Sequence, residues 1–100
     1  MRVNDMYNDL IKKIIEFRDS RDWDKHDTPE NLTKSIVIEA AELLENFQWG
    51  KDSYDAQNVR DEIADLLILI LALIHDLDLD INEIIEAKLK KIAKKYPIKN

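Results

Sequence analysis

Two pairs of carboxylates carry the chemistry this 100-residue chain can offer: Glu39 with Glu42, then, after nineteen intervening residues, Glu62 with Asp65. Helical residues three apart share a face, so each pair would present its two carboxylates side by side. The second pair heads an unbroken apolar run over residues 66–74. Asp65 has Ile68, Leu69 and Ala72 as next-turn neighbours. A bare carboxylate in such a setting is costly to desolvate and needs a cation or a change of pKa. Four carboxylates from two helices repel one another unless a metal sits between them. Oxygen ligands in this number suit Mg²⁺ or Mn²⁺. Neither pair includes His, which argues against zinc and against the Glu-x-x-His di-iron pattern. One Glu-x-x-Glu alone is an ordinary helical surface pattern. Two of them flanking an apolar helix point to metal-assisted chemistry.

Four helices must position these groups. Met6, Leu10, Ile14 and Phe17 recur at helical spacing, with Ile11 and Ile15 beside them, and predict a first helix over about residues 3–20. The polar stretch RDWDKHDTPEN reads as a loop. Thr28 and Pro29 then suit the cap and first turn of a second helix, expected to reach about Trp49 and to stop at Gly50, the only glycine. On it, Ile36, Val37, Ala40, Leu43, Leu44 and Phe47 form one apolar stripe, and Glu39, Glu42, Asn46 and Trp49 form another beside it. Ser53 or Asp55 is the candidate cap of a third helix over about residues 55–76, whose apolar run implies burial on every side. Asp80 and Glu83 predict a capping box for a fourth helix that runs to about Lys95. The expected architecture is a single all-α domain over residues 1–100, a four-helix bundle.

Bulk properties narrow the class. Charged residues make up 36% of the chain and the net charge is −6, which argues against nucleic acid and anionic membranes as partners. No cysteine is present, so disulfides and thiolate metal sites are excluded, and a cytoplasmic location is expected. The N-terminal MRVNDMYNDL lacks a signal-peptide apolar segment, and nine apolar residues are too few to span a bilayer. A chain this short buries a modest core, so oligomerisation would help it.

Taken together, these residues resemble the MazG-like nucleotide pyrophosphohydrolases, in the compact branch that includes dCTP pyrophosphatases. The likeness rests on Glu39-x-x-Glu42 and Glu62-x-x-Asp65, on FRDSRDWDKHDTPENLTKSIVIEAAELLENFQW, on EIADLLILILAL and on the closing KKYP, and covers about residues 10–98. It implies an all-α NTP pyrophosphatase fold that assembles as a dimer or tetramer. It also implies Mg²⁺-dependent cleavage of a nucleoside triphosphate to the monophosphate and pyrophosphate, with a house-cleaning role. Glu39, Glu42, Glu62 and Asp65 become the metal ligands. Glu42 or Glu45 becomes the group that orients or deprotonates water.

Other positions acquire candidate roles from the same resemblance. His26 and Asn31 match positions near the nucleotide, although each alone would read as loop or first-turn decoration. Trp49 can stack on a base, as can Trp23, which serves equally well as core. Lys34 can meet phosphate or pair with a carboxylate. Lys91 and Lys94 are candidates for holding phosphate, against a default role of complementing the helix dipole together with Lys95. Tyr96 belongs to the closing motif and is a substrate-binding candidate. His75 reads as structural. One departure stands out: Ile92 occupies a position that is often Asn in this branch. It leans toward the competing reading, a helical module that binds metal or nucleotide without turnover.

Overall fold

The structure, a computed structural model, describes residues 3–50 and 54–99. Four helices follow one another: α1 (Val3–Asp19), α2 (Pro29–Glu45), α3 (Ala56–Asp76) and α4 (Ile81–Lys95), with one 3₁₀ turn, Trp23–Lys25, between α1 and α2. The caps are those the sequence predicts. The Thr28 hydroxyl accepts from the Asn31 N–H at 3.2 Å, with Pro29 at the first helical position. Asp55 accepts from the N–H groups of Gln57 and Asn58, at 2.9 and 3.1 Å. Ser53, the other candidate, lies outside the described residues. Asp80 accepts from the Glu83 N–H at 3.0 Å.

The second helix is shorter than expected. It ends at Glu45, and residues 46–49 form turns rather than helix. Asn46 is the reason. Its side-chain amide folds back on the carbonyls of Glu42 and Leu43, at 3.2 and 3.4 Å, while its own N–H bonds to Leu43 O. Local bonding of this kind competes with helix continuation. Gly50 then takes φ 117°, a conformation in which side chains are strained. Trp49 therefore leaves the helical stripe on which its place beside the glutamates was predicted.

α2 and α3 form an antiparallel hairpin with the most extensive packing in the molecule, and α1 lies against α3. Leu32 near the start of α2 and Leu71, Ala72 and Ile74 near the end of α3 are the buried apolar residues. Burial on every side of the third helix does not hold: Leu67 and Ile68 remain about half exposed. Nor is the predicted apolar stripe of α2 uniformly inward, since Val37 and Leu44 are each 69% exposed. The cause is the same in both cases. α4 makes only sparse contact with the other helices, so no fourth wall closes over them. The radius of gyration is 16.3 Å, against roughly 13 Å for a compact domain of this length. The accessible surface is 8314 Å², where a folded monomer of this mass has about 5,900 Å².

Arg18 and Asp76 lock α1 to the end of α3. Arg18, 8% exposed, donates two bonds from its guanidinium to the carboxylate at 2.7 and 3.0 Å, and His75 Nδ1 lies 3.0 Å from the same carboxylate. Burial alone would push the Asp76 carboxyl up, but the bonds from Arg18 and His75, with their charges, outweigh it and hold it low. A depressed native pKa stabilises the fold above the ordinary aspartate range, and that stability is lost as pH falls through the native value. Asp76→Asn leaves a buried guanidinium with only the half-exposed Asp19 carboxylate, 3.5 Å from Nε, as counter-charge. Urea unfolding at neutral pH should show a loss of about 1–3 kcal/mol, and the variant should lack this part of the acid dependence.

Candidate functional site

The antiparallel hairpin brings the second half of α2 against the first half of α3, and three of the four predicted ligands meet there. Oxygen atoms of Glu39, Glu42 and Glu62 lie within 4.8 Å of one another. Glu42 is the most open of the three. Glu39 Oε2 and Glu62 Oε2 are both buried, and neither has a hydrogen-bond partner. Two buried anionic oxygens without a donor are an unsatisfied demand for positive charge.

The electrostatics say the same. The Glu39 carboxyl is pushed up, first by an oxygen–oxygen contact with Glu62 that only a proton between them could satisfy, then by burial and the charges of Glu62 and Asp65. Contact with Glu42 partly offsets this. Glu42 is also raised, chiefly by its contact with Glu39 and then by the Glu39 charge. A hard divalent cation, bound through oxygen, relieves all of these strains at once. The donor set thus fits the metal that the sequence suggests.

Two cavities are lined by predicted site acids. A polar one of about 370 Å³ is lined by Glu42, Glu45, Asn46, Gln48, Asn58 and Glu62. A mostly apolar one of about 340 Å³ lies between α1, α2 and α3, with Ile14, Phe17 and Trp23 among its walls. Asp65 lines that second cavity and is not among the three clustered carboxylates, although its charge is felt at Glu39. Phe17 and Trp23 meet edge to face at 5.8 Å, and the Arg21 guanidinium lies 3.5 Å over the Phe17 ring.

The remaining candidates are placed as follows. Glu45 lines the polar cavity. His26 is exposed at the end of the 3₁₀ turn, and its carbonyl accepts from the Asn31 amide at 2.8 Å, so Asn31 commits a donor to ordering this loop. Lys34 pairs with Glu30 at 3.1 Å, one helical turn away. Trp49 is 82% exposed. Lys91 and Lys94 on α4, and Tyr96 after it, are exposed, and none of them lines either cavity. Ile92 is likewise exposed on α4. Within this chain, then, the structure brings together the acids and leaves the C-terminal basic residues apart from them.

Asn58, Gln48 and Asp27 line the cavities without having been singled out from the sequence. Asn58 sits one turn before Glu62, and that spacing is the only signal that could have drawn notice to it. Arg18 escaped because its partner Asp76 is 58 residues away.

The chain is similar to proteins of known family. The MazG-like family model matches residues 34–100. dCTP pyrophosphatase 1 of Mus musculus is 28% identical over 99 residues, covering 90% of this chain and 58% of that protein. The Homo sapiens protein of the same name is 29% identical over 98 residues, covering 89% and 58%. This chain therefore spans less than two thirds of the length of these relatives. The crystal structure of a pyrophosphatase from Archaeoglobus fulgidus aligns with a TM-score of 0.87 at 40% identity, covering 98% of this chain and 97% of that one.

Because the native Glu39 pKa is raised, the metal-free protein is more stable below the ordinary glutamate range and loses stability as pH rises through the native value. Glu39→Gln should therefore melt a few degrees higher than the wild type at neutral pH without metal. Mg²⁺ should raise the wild-type melting temperature and leave that of the variant nearly unmoved. Differential scanning fluorimetry with and without Mg²⁺ checks both.

Proposed function

Since this chain belongs to the MazG-like family, we propose that it is a divalent-metal-dependent nucleoside triphosphate pyrophosphohydrolase that converts a (deoxy)nucleoside triphosphate and water into the monophosphate and pyrophosphate. The observation that carries this reading is the pair of buried, partnerless oxygens on Glu39 and Glu62 within the three-carboxylate cluster. Glu39, Glu42 and Glu62 would hold Mg²⁺, or Mn²⁺ in its place, with Asp65 at the edge of the set. When bound, the metal would neutralise the triphosphate and make a coordinated water more acidic.

The chain's own residues supply the rest. An acidic cleft repels a bare triphosphate, so the carboxylates admit only a metal-complexed one. Glu42 belongs to both the cluster and the polar cavity, whereas Glu45 lines the cavity alone. Glu42 is therefore the better-placed acceptor for the water's proton, with Glu45 as its neighbour. The apolar cavity is the natural seat for the nucleotide base, between Phe17 and Trp23 on one side and Leu69 and Ala72 on the other. The names of the relatives favour a dCTP-like substrate, and clearing unwanted nucleotides is the corresponding cellular role.

The half-exposed apolar faces of α2 and α3 and the isolated α4 support a homo-oligomer, dimer or tetramer, in which a second copy supplies the missing wall. Association would also carry His26, Asn31, Lys34, Trp49, Lys91, Lys94 or Tyr96 toward a neighbouring site. Sedimentation equilibrium at micromolar concentration should return a multiple of the 11.8 kDa chain mass. No helix among the described residues is long and apolar enough to cross a membrane, which accords with a cytoplasmic nucleotide-processing role.

The decisive assay is pyrophosphate release with Mg²⁺ across the common ribo- and deoxynucleoside triphosphates and a few modified ones. Glu42→Gln should lower kcat by about 100-fold or more, the usual loss for a general base. If no triphosphate is turned over while metal-dependent nucleotide binding persists, the protein is a binding module, and Ile92 becomes the first residue to change.

A further inference from the structure

Two asparagines outside the carboxylate set join the helices that carry it. Asn46 is the C-terminal cap of α2, and Asn58 lies in the first turn of α3. Asn58 Nδ2 donates to Asn46 Oδ1 at 2.9 Å. It is a bond between two neutral side chains that ties the cap of α2 to the first turn of α3. Each asparagine is one helical turn from a clustered glutamate on the same helix: Glu42 precedes Asn46 by four residues, and Glu62 follows Asn58 by four. All four line the same polar cavity.

The bond sits within a longer chain of hydrogen bonds. Asp55 caps α3 by accepting from the Asn58 backbone N–H at 3.1 Å. The Asn58 side chain reaches Asn46, whose amide group in turn donates to the Glu42 carbonyl at 3.2 Å. The start of α3 is thereby linked, group by group, to the backbone of a candidate metal ligand. Glu42 needs such a tether. It is the most open of the three clustered residues, it belongs to the last turn of α2, and carboxylates on both helices repel it. A link between neutral amides neither adds to that repulsion nor titrates with the acids.

We propose that Asn46 and Asn58 are positioning residues for the metal site: their amide link holds the end of α2 against the start of α3 so that Glu42 stays within reach of Glu39 and Glu62. This rests on the metal-site reading and adds residues to it that touch neither metal nor substrate. Loss of the link lets the last turn of α2 move away and removes one ligand from the preorganised set. Outer residues that orient metal ligands typically govern affinity by 10- to 100-fold. Two residues acting through one bond should also be non-additive.

The test is Mn²⁺ binding to the full chain, followed by electron paramagnetic resonance of the free ion, for wild type, Asn58→Ala, Asn46→Ala and the double variant. Helical content by circular dichroism accompanies each measurement. The expected result is a Kd for Mn²⁺ raised about tenfold in each single variant and no further in the double. Helical content should be retained, and in pyrophosphate release kcat should recover at saturating metal. A purely structural bond would lower the melting temperature and leave the Mn²⁺ affinity unchanged, and that outcome overturns the proposal. Independent, additive losses overturn it too. If the wild type itself binds no Mn²⁺, the metal-site reading falls and takes this inference with it, whereas wild-type binding that survives both substitutions defeats the inference alone.

Discussion

Like-charge repulsion is the constraint around which this molecule is built. Three glutamates hold oxygens within 4.8 Å of one another, two of those residues have buried, partnerless oxygens, and at least one carboxyl is forced upward by its neighbours. Left to itself, such a cluster would spread into water. It persists because the backbones beneath it are held by something stronger. Leu32 is buried and shares a cavity wall with Leu69 and Ala72 of α3 at one end of the hairpin, and the capped turns around Asn46 and Asp55 hold the other. The Phe47 and Tyr54 rings, with centroids 4.9 Å apart, meet within the segment that joins the two helices. The local instability of the acids is thus carried by interactions elsewhere, as is usual where a site is prepared for a ligand of opposite charge.

A second charged pair shows the opposite solution. Arg18 and Asp76 are also withdrawn from water, but each is the other's counter-ion in a two-point geometry. One end of α3 is therefore neutralised internally and locks α1 in place. The other end remains an uncompensated anion. This polarity along a single helix separates the part of the protein that stabilises from the part that can act. The apolar cavity lies between the two, lined by both Arg18 and Asp65.

Fold and site differ in how far the sequence exposes them. Helix number, order and most boundaries follow from local rules: apolar spacing in α1, Thr28 and Pro29 before α2, Asp55 before α3, Asp80 before α4. The end of α2 falls short of the residue that hydrophobic spacing predicts because Asn46 caps the helix with its own side chain, and nothing in that spacing announces it. Full burial of the apolar run fails for a different reason. Hydrophobicity measures a tendency to be covered, but it does not say whether the covering surface comes from the same chain. Here α4 does not supply it.

Residue types and their spacing set the chemistry on offer: oxygen ligands in two i, i+3 pairs, no thiol, a net negative charge, and helices to carry them. These are properties of residue type and of spacing within one helix, where 3.6 residues per turn settles who faces whom. Helix packing selects which of these groups meet. The antiparallel pairing of α2 with α3 gathered Glu39, Glu42 and Glu62, turned Asp65 toward a separate apolar cavity, and brought Asn58 to Asn46 and Arg18 to Asp76. Such meetings depend on the register between helices. That register is set by packing summed over many side chains, and no single stretch of sequence contains it.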